Sequence, residues 1–159
     1  MDRQIAEAIQ SQLKKIGINA KVIVLEAAAF IKAIMGDPQT KKNADFGMMI
    51  ISRPMGPDPD SSFTQHFHSG SFPPKSSNTS IFANNELDRT LEEAARTIDE
   101  NKRRVIYKKA QDILNDEVPW LPIYSYINFL VLRRDIKGVG YPNPFSFLYV
   151  SKEAQRERQ

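Results

Sequence analysis

The sequence contains no cysteine. A disulfide scaffold, a zinc–thiolate centre and a thiol nucleophile are therefore excluded, while either redox compartment stays open. Long apolar runs are lacking too. The longest is Ala27–Ile31, with similar stretches at Met48–Ile51 and Phe129–Leu132, far short of the ~20 residues that span a bilayer as a helix. Glycine is sparse. Gly56, Gly70, Gly138 and Gly140 stand isolated, so there is no glycine-rich phosphate loop, and neither Gly-x-Ser-x-Gly nor His-Glu-x-x-His occurs. No block of one charge dominates: residues 1–80 carry 9 basic and 7 acidic groups, and residues 81–159 carry 13 and 12. The basic clusters Lys14-Lys15, Lys41-Lys42, Arg103-Arg104 with Lys108-Lys109, and Arg133-Arg134 are short and lie near acids. They read as solvated helix faces and turns rather than a phosphate-binding stripe, so a nucleic-acid partner is not expected despite the pI near 9.1.

What remains is a chain of 159 residues, 41% hydrophobic and 26% charged, which fits one ordinary globular domain rather than a disordered segment. Met1-Asp2-Arg3-Gln4-Ile5-Ala6-Glu7 has no basic region followed by an apolar core and does not read as a secretion signal. Ile5, Ile9, Leu13 and Ile16 recur at helical spacing ahead of Gly17, which predicts a helix over 4–16. Ile18, Ala20, Val22 and Val24 alternate, and the apolar Ile23 and Leu25 between them predict a strand over 18–25 buried on both faces. A helix over 27–35, with Phe30, Ile31 and Ile34 inward, and a second buried strand over 46–51 follow. Two parallel strands joined by a crossover helix result.

Residues 53–80 change character. Five of the ten prolines, two glycines and seven serines fill 14 of these 28 positions. The segment reads as a long irregular loop, packed through Phe63, Phe67, Phe72 and nearby Phe82. Beyond it, Asn85 is expected to cap a helix over 86–98 with Leu87, Leu91, Ala94, Ala95 and Ile98 inward. Asp99 is expected to cap another over 100–115 with Ile106, Ala110, Ile113 and Leu114 inward, ended by Asn115 and Pro119. Residues 120–126 and 127–132 read as extended, Ile136–Val139 as a short strand, and 151–159 as a charged, frayed tail.

Two constellations invite chemistry. His66-Phe67-His68 would place both histidines on one side of an extended chain, as a metal pair requires, but no third ligand accompanies them and loop histidines explain them better. Asp58-Pro59-Asp60 puts two carboxylates within one turn of chain. It lacks the further oxygen ligands and glycine of a calcium loop and has no nucleophile or oxyanion site beside it. Turn chemistry is the simpler reading.

Four stretches in order carry a family resemblance. They are Ala6–Ile18 with the valine-rich strand ending Leu25-Glu26; Ala44-Asp45-Phe46 leading to Gly56-Pro57-Asp58-Pro59-Asp60; Phe82-Ala83-Asn84-Asn85-Glu86-Leu87-Asp88; and Arg103–Leu114 followed by Glu117-Val118-Pro119-Trp120-Leu121-Pro122-Ile123-Tyr124. Over residues 4–140 the chain resembles the C-terminal part of the family 5 extracellular solute-binding proteins, the dipeptide-, oligopeptide- and nickel-binding components of ABC importers. The resemblance implies an α/β fold: a periplasmic-binding-protein-like (type II) lobe over 1–150, with a mixed sheet whose parallel core is flanked by helices, and 151–159 as a tail. The first lobe, and the secretion signal or lipid anchor of such proteins, would lie elsewhere. The function implied is binding of a peptide or related small solute in the periplasm or outside the cell, at the membrane, with delivery to ABC permease subunits. No catalysis, cofactor or metal is implied. An isolated lobe would expose apolar surface and self-associate.

The resemblance also assigns ligand contacts to the strand end and the loop after it: Ser52, Arg53, Pro54, Met55 and Gly56, with Asp58 and Asp60 beyond. Peptide binders carry a tryptophan and then an aspartate here, the latter pairing with the peptide's amino group. Arg53 stands at the first position and Gly56 at the second. Arg53 instead offers a two-pronged donor for a carboxylate or phosphate. Two other uses remain: a ligand-sensing domain of a transcriptional regulator, and a hydrolase working through Asp58 and Asp60.

Overall fold

The computed structural model describes residues 2–37, 46–53, 55–56, 58–125, 131–137 and 155–156. Helix α1, Asp2–Lys15, opens the chain. Gly17 ends it at φ 84, where Gly17 N donates to Lys14 O at 3.1 Å and Ile18 N to Leu13 O at 3.0 Å. That paired pattern is a Schellman motif, and it needs the left-handed conformation that glycine adopts without a Cβ penalty. The side chain of Gln10 then donates through Nε2 to Ala20 O at 2.8 Å, tying the helix to the extended segment that follows. Helix α2, Ala27–Ile34, starts on Glu26, whose carboxylate accepts from Ala28 N and Ala29 N. Ile34 is buried, whereas Ile31, expected inward, is 52% exposed.

The centre of packing lies further on. Helix α3 spans Pro59–Phe67 and runs into a 3-10 turn, Ser69–Ser71. Helix α4 spans Asn85–Arg96 and helix α5 spans Glu100–Glu117. Phe67 from α3, Leu87, Leu91 and Ala94 from α4, and Tyr107 and Ala110 from α5 form one buried cluster. Phe63, Phe82, Ile106, Ile113, Leu114 and Trp120 pack around it. The stripes on α4 and α5 recur at helical spacing, so each helix turns one apolar face to the other. Ala95 and Ile98 depart from the expected stripe. Helix α4 ends at Arg96, and Ile98 stands 96% exposed beyond it.

Several expectations are corrected. The cap of α4 is Asn84, not Asn85: its Oδ1 accepts from Glu86 N at 2.9 Å and Leu87 N at 3.0 Å. Helix α5 passes Asn115 and stops at Glu117, where Val118 turns left-handed at φ 47 ahead of Pro119. Residues 53–80 are not irregular throughout. Asp58 caps α3 and Pro59 occupies its first turn, the arrangement in which proline's fixed φ and lost N–H cost nothing.

The parallel strand pair expected at 18–25 and 46–51 is not formed among the described residues. Neither segment is helical, and neither is paired in a sheet. Ile23, Val24 and Leu25 are 53%, 65% and 44% exposed, and Met48 is 65% exposed. Apolar alternation favours a strand, but a strand exists only against a neighbour. The sheet present among the described residues is the antiparallel pair of β1, Ile136–Lys137, and β2, Gln155–Arg156, with Ile136 opposite Arg156. It draws in two residues of the charged tail, which was expected to be frayed. Pro54, residues 126–130, the end of the expected strand at Val139, and the rest of the tail lie outside the described residues.

Candidate functional site

The loop entering α3 is fixed from its carboxylates. Asp58 Oδ1 accepts from Asp60 N at 3.1 Å and from Arg103 Nη2 at 2.8 Å. Arg103 also reaches Ala94 O through Nε at 3.3 Å, and its guanidinium lies 5.2 Å from the Tyr107 ring centre. One arginine thus ties the start of α3 to α4 and α5. The backbone N–H of Asp60, followed by the Arg103 guanidinium, holds the Asp58 carboxyl below the usual carboxylate range. Asp60 accepts from Thr64 Oγ1 at 2.9 Å within α3. Both carboxylates are engaged in building the helix start, which answers to turn chemistry rather than to an acid–base pair.

Gly56 lies against this helix start. Its N–H donates to Ser62 Oγ at 2.8 Å. A Cβ built on it would meet Ser61 Oγ at 2.6 Å, closer than real Cβ contacts come. A side chain at this position therefore requires the Ser61 hydroxyl to turn away.

Arg53 faces the opposite way along the chain, towards the segment after the 3-10 turn. Its Nη2 donates to Thr79 Oγ1 at 3.2 Å. Its Nε is buried and has no hydrogen-bond partner among the described residues. Burial lowers the guanidinium's pKa. Ser52 is exposed, and Met55 is 39% exposed beside it. Of the seven residues expected at the site, Ser52 and Met55 are exposed, Arg53 and Gly56 are half-buried, Asp58 and Asp60 build the start of α3, and Pro54 lies outside the described residues.

Sequence reasoning missed three partners: Thr79, Arg103 and Asn78. Asn78 is fully buried. Its Nδ2 donates to His68 O at 3.1 Å and Phe82 O at 2.8 Å, and its Oδ1 accepts from Phe82 N and Ser80 Oγ, each at 3.2 Å. It organises the turn that presents Thr79. The signal available in the sequence was Ser77-Asn78-Thr79-Ser80 itself, a run of residues that bond to nearby backbone.

The two histidines part company. His66, on α3, is buried with its ring 5.0 Å from that of Trp120 and Nδ1 3.4 Å from Ser77 O. His68 caps the 3-10 turn, accepting Gly70 N at Nδ1 at 2.9 Å, which leaves the proton on Nε2, 3.6 Å from Glu92 Oε1. They do not share one side of an extended chain. Among the described residues no group of three or more acidic or histidine side chains is placed to hold a metal ion.

Burial lowers the His66 pKa below its usual 6.5; the contact with the Ser77 carbonyl opposes this, and the Arg53 charge, the smallest of the three effects, adds to the lowering. A depressed histidine leaves stability intact above the unfolded-state pKa. Below it the unfolded chain takes the proton first, so stability falls as pH drops from about 6.5 towards the folded-state value. Thermal melts between pH 7.5 and 5 are expected to show a falling midpoint that His66→Gln flattens. Equal slopes for the two proteins would contradict this placement. The Asp58 carboxyl, held below the usual carboxylate range, does not contribute in that window.

A separate shallow groove of about 590 Å³ runs between Pro59 and the exposed side of α5, past Arg103, Arg104 and Lys108. None of Ser52, Arg53, Met55 or Gly56 lines it. Among the described residues, no helix is long and apolar enough to cross a membrane.

No family model matches the chain. Among curated proteins it is 29% identical over 121 residues to the glutathione-binding protein GsiB of Salmonella paratyphi A, an alignment covering 76% of this chain and 23% of that protein. The GsiB of Escherichia coli is likewise 29% identical over the same shares, and that of Salmonella typhimurium 28%. The chain spans about a quarter of the length of the curated relatives it matches. The relatives are binding proteins by name, which bears out the resemblance to solute-binding proteins drawn from the sequence.

Proposed function

We propose that this chain, similar over three-quarters of its length to the family 5 solute receptors, is part of the solute-binding component of an ABC importer. The observation that carries the reading is the 121-residue relationship to proteins named for binding glutathione. Its solute is a peptide or a small peptide-like molecule, received by the loop of Ser52, Arg53, Pro54, Met55 and Gly56, with Asp58 and Asp60 bracing it. The protein catalyses nothing. Closure of two lobes on the solute is its mechanism, and ABC permease subunits take the solute over. It works in the periplasm or outside the cell, at the membrane.

Residues 1–150 form the second lobe in this reading, with 18–25 and 46–51 as parallel strands in a mixed sheet completed by the first lobe and the rest of the longer protein. The exposed Ile23, Val24, Leu25 and Met48 support it, since apolar residues alternating along an extended segment call for cover on its faces. The 159-residue chain alone is accordingly expected to self-associate. Sedimentation velocity should show a coefficient that rises with concentration, and Val24→Lys with Ile23→Lys should suppress the rise. A sharp monomer at all concentrations would count against uncovered strands.

Calorimetric titration of the full-length protein with glutathione tests the function. A saturable heat at one site per protein is expected. Absence of binding to glutathione and to simple dipeptides alike would overturn the reading.

A further inference from the structure

Arg103 stands on α5 and uses its fork of donors in several directions at once. Nε donates to Ala94 O at 3.3 Å, near the end of α4. Nη2 donates to Asp58 Oδ1 at 2.8 Å and to the hydroxyl oxygen of Tyr107, a buried residue, at 3.4 Å. A planar fork held on two sides fixes its partner in direction as well as in distance. From Asp58 the contacts continue into the first turn of α3. Asp58 Oδ1 accepts from Asp60 N, and Asp58 O accepts from Ser61 Oγ at 2.8 Å. The buried Ser62 then accepts Gly56 N through Oγ at 2.8 Å. A run of hydrogen bonds thus leads from the helical core through Arg103, Asp58 and α3 to the backbone of Gly56. The ion pair itself is open to solvent, with the Arg103 and Asp58 side chains 29% and 55% exposed. Pairs so exposed add little to stability. What this one fixes is where the start of α3 stands, rather than whether the helices fold.

We propose that Arg103 is a positioning residue for solute binding: acting through Asp58 and the first turn of α3, it sets where Met55 and Gly56 stand. This rests on the solute-binding reading and adds to that site a residue that acts from behind the loop. A run of contacts becomes a coupling only when its two ends are shown to respond together, so the test cuts the tie and reads the far end.

Two variants cut it differently. Asp58→Ser keeps a hydroxyl that caps α3 but is too short to meet Arg103, and Arg103→Gln removes the guanidinium. The first measurement is hydrogen exchange in the 159-residue chain, comparing the Gly56 amide with that of Leu91 in the buried cluster. Both variants are expected to speed Gly56 exchange roughly fivefold, about the hold of one ordinary hydrogen bond, and to leave Leu91 unchanged. A general loss of stability would speed both. The second measurement is calorimetry of the full-length protein with glutathione. Each variant is expected to bind severalfold more weakly, and the two together no more weakly than either alone, because both cut the same tie. Unchanged Gly56 exchange in Asp58→Ser, equal acceleration at Gly56 and Leu91, or losses of affinity that add would each overturn the assignment. The two readings fail separately. If Gly56 is freed while glutathione affinity holds, the positioning role is lost and the receptor stands. If the full-length protein binds neither glutathione nor simple dipeptides, the receptor is lost, and Gly56 exchange still decides whether Arg103 holds the loop.

Discussion

Leu91→Ala is expected to remove most of the stability of the helical half of the chain. Leu91 is 1% exposed at the centre of the cluster that joins Phe67, Leu87, Ala94, Tyr107 and Ala110. Truncating a leucine so placed costs roughly 2–5 kcal/mol, the transfer term plus the cavity left behind. The cluster has little to spare. A unit of the length of residues 58–120 holds roughly 3–9 kcal/mol in total. The substitution leaves the helix propensity of α4 intact, since alanine is the better helix former, so any loss is a packing loss. Far-UV circular dichroism during urea unfolding should show the midpoint falling by more than half. Ile98→Ala serves as the control, because Ile98 is 96% exposed just beyond the same helix, and should change nothing measurable. Comparable losses in both variants would mean that the cluster is not the core.

Why α4 and α5 were legible in the sequence and α3 was not follows from where their information lies. Leu87, Leu91 and Ala94 on α4, and Ile106, Ala110 and Ile113 on α5, repeat at intervals of three and four, and Asp99 announces the start of α5 by accepting Lys102 N at 2.9 Å. All of that is local. In α3 the same kinds of signal were present: Asp58 as a cap, Pro59 after it, Phe63 and Phe67 one turn apart. They were outvoted by the proline and serine content of the surrounding 28 residues. The strand segments show the opposite failure. Val22, Ile23, Val24 and Leu25 carry a clear β pattern, but pairing is a property of two segments, and one segment's alternation does not supply the other. Exposure of these side chains is the physical trace of that gap.

The site was half legible for the same reason. Arg53 stood out because an arginine at a strand end offers a fork of donors. What gives it a fixed aim, the hydroxyl of Thr79, lies 26 residues away, and the arginine that secures Asp58 lies 45 away. No periodicity encodes such pairs. Gly56 was legible only as the absence of an acid. What its amide does, donating to Ser62 Oγ at 2.8 Å, depends on the helix that composition concealed.

Asn78→Ala is expected to dissolve the turn that presents Thr79 and to cost roughly 3 kcal/mol or more, because several buried groups lose their partner at once at about 1–3 kcal/mol each. The carbonyls of His68 and Phe82 lose a donor, and the N–H of Phe82 loses an acceptor. The same turn holds Ile81 at φ 55, a left-handed conformation that a β-branched residue adopts only when its surroundings impose it. Removing Asn78 therefore also releases a strained residue, and the turn should open rather than merely weaken. Asn78→Asp separates the amide's two roles. The retained oxygen can still accept from Phe82 N and Ser80 Oγ, but the other oxygen now faces two carbonyls at the distances where the amide donated, and a carboxylate there has no proton to offer. At neutral pH the aspartate variant should thus be at least as unstable as the alanine variant, although it changes fewer atoms. Lowering the pH puts a proton on the buried carboxyl and restores one donor, so its deficit should shrink while that of the alanine variant does not. Hydrogen exchange of the Phe82 amide and thermal midpoints of both variants from pH 7 to 4, each read against wild type to remove the titration of His66, would check this. An aspartate variant that matches wild type at neutral pH would show that Asn78 does not act as the double donor its geometry describes.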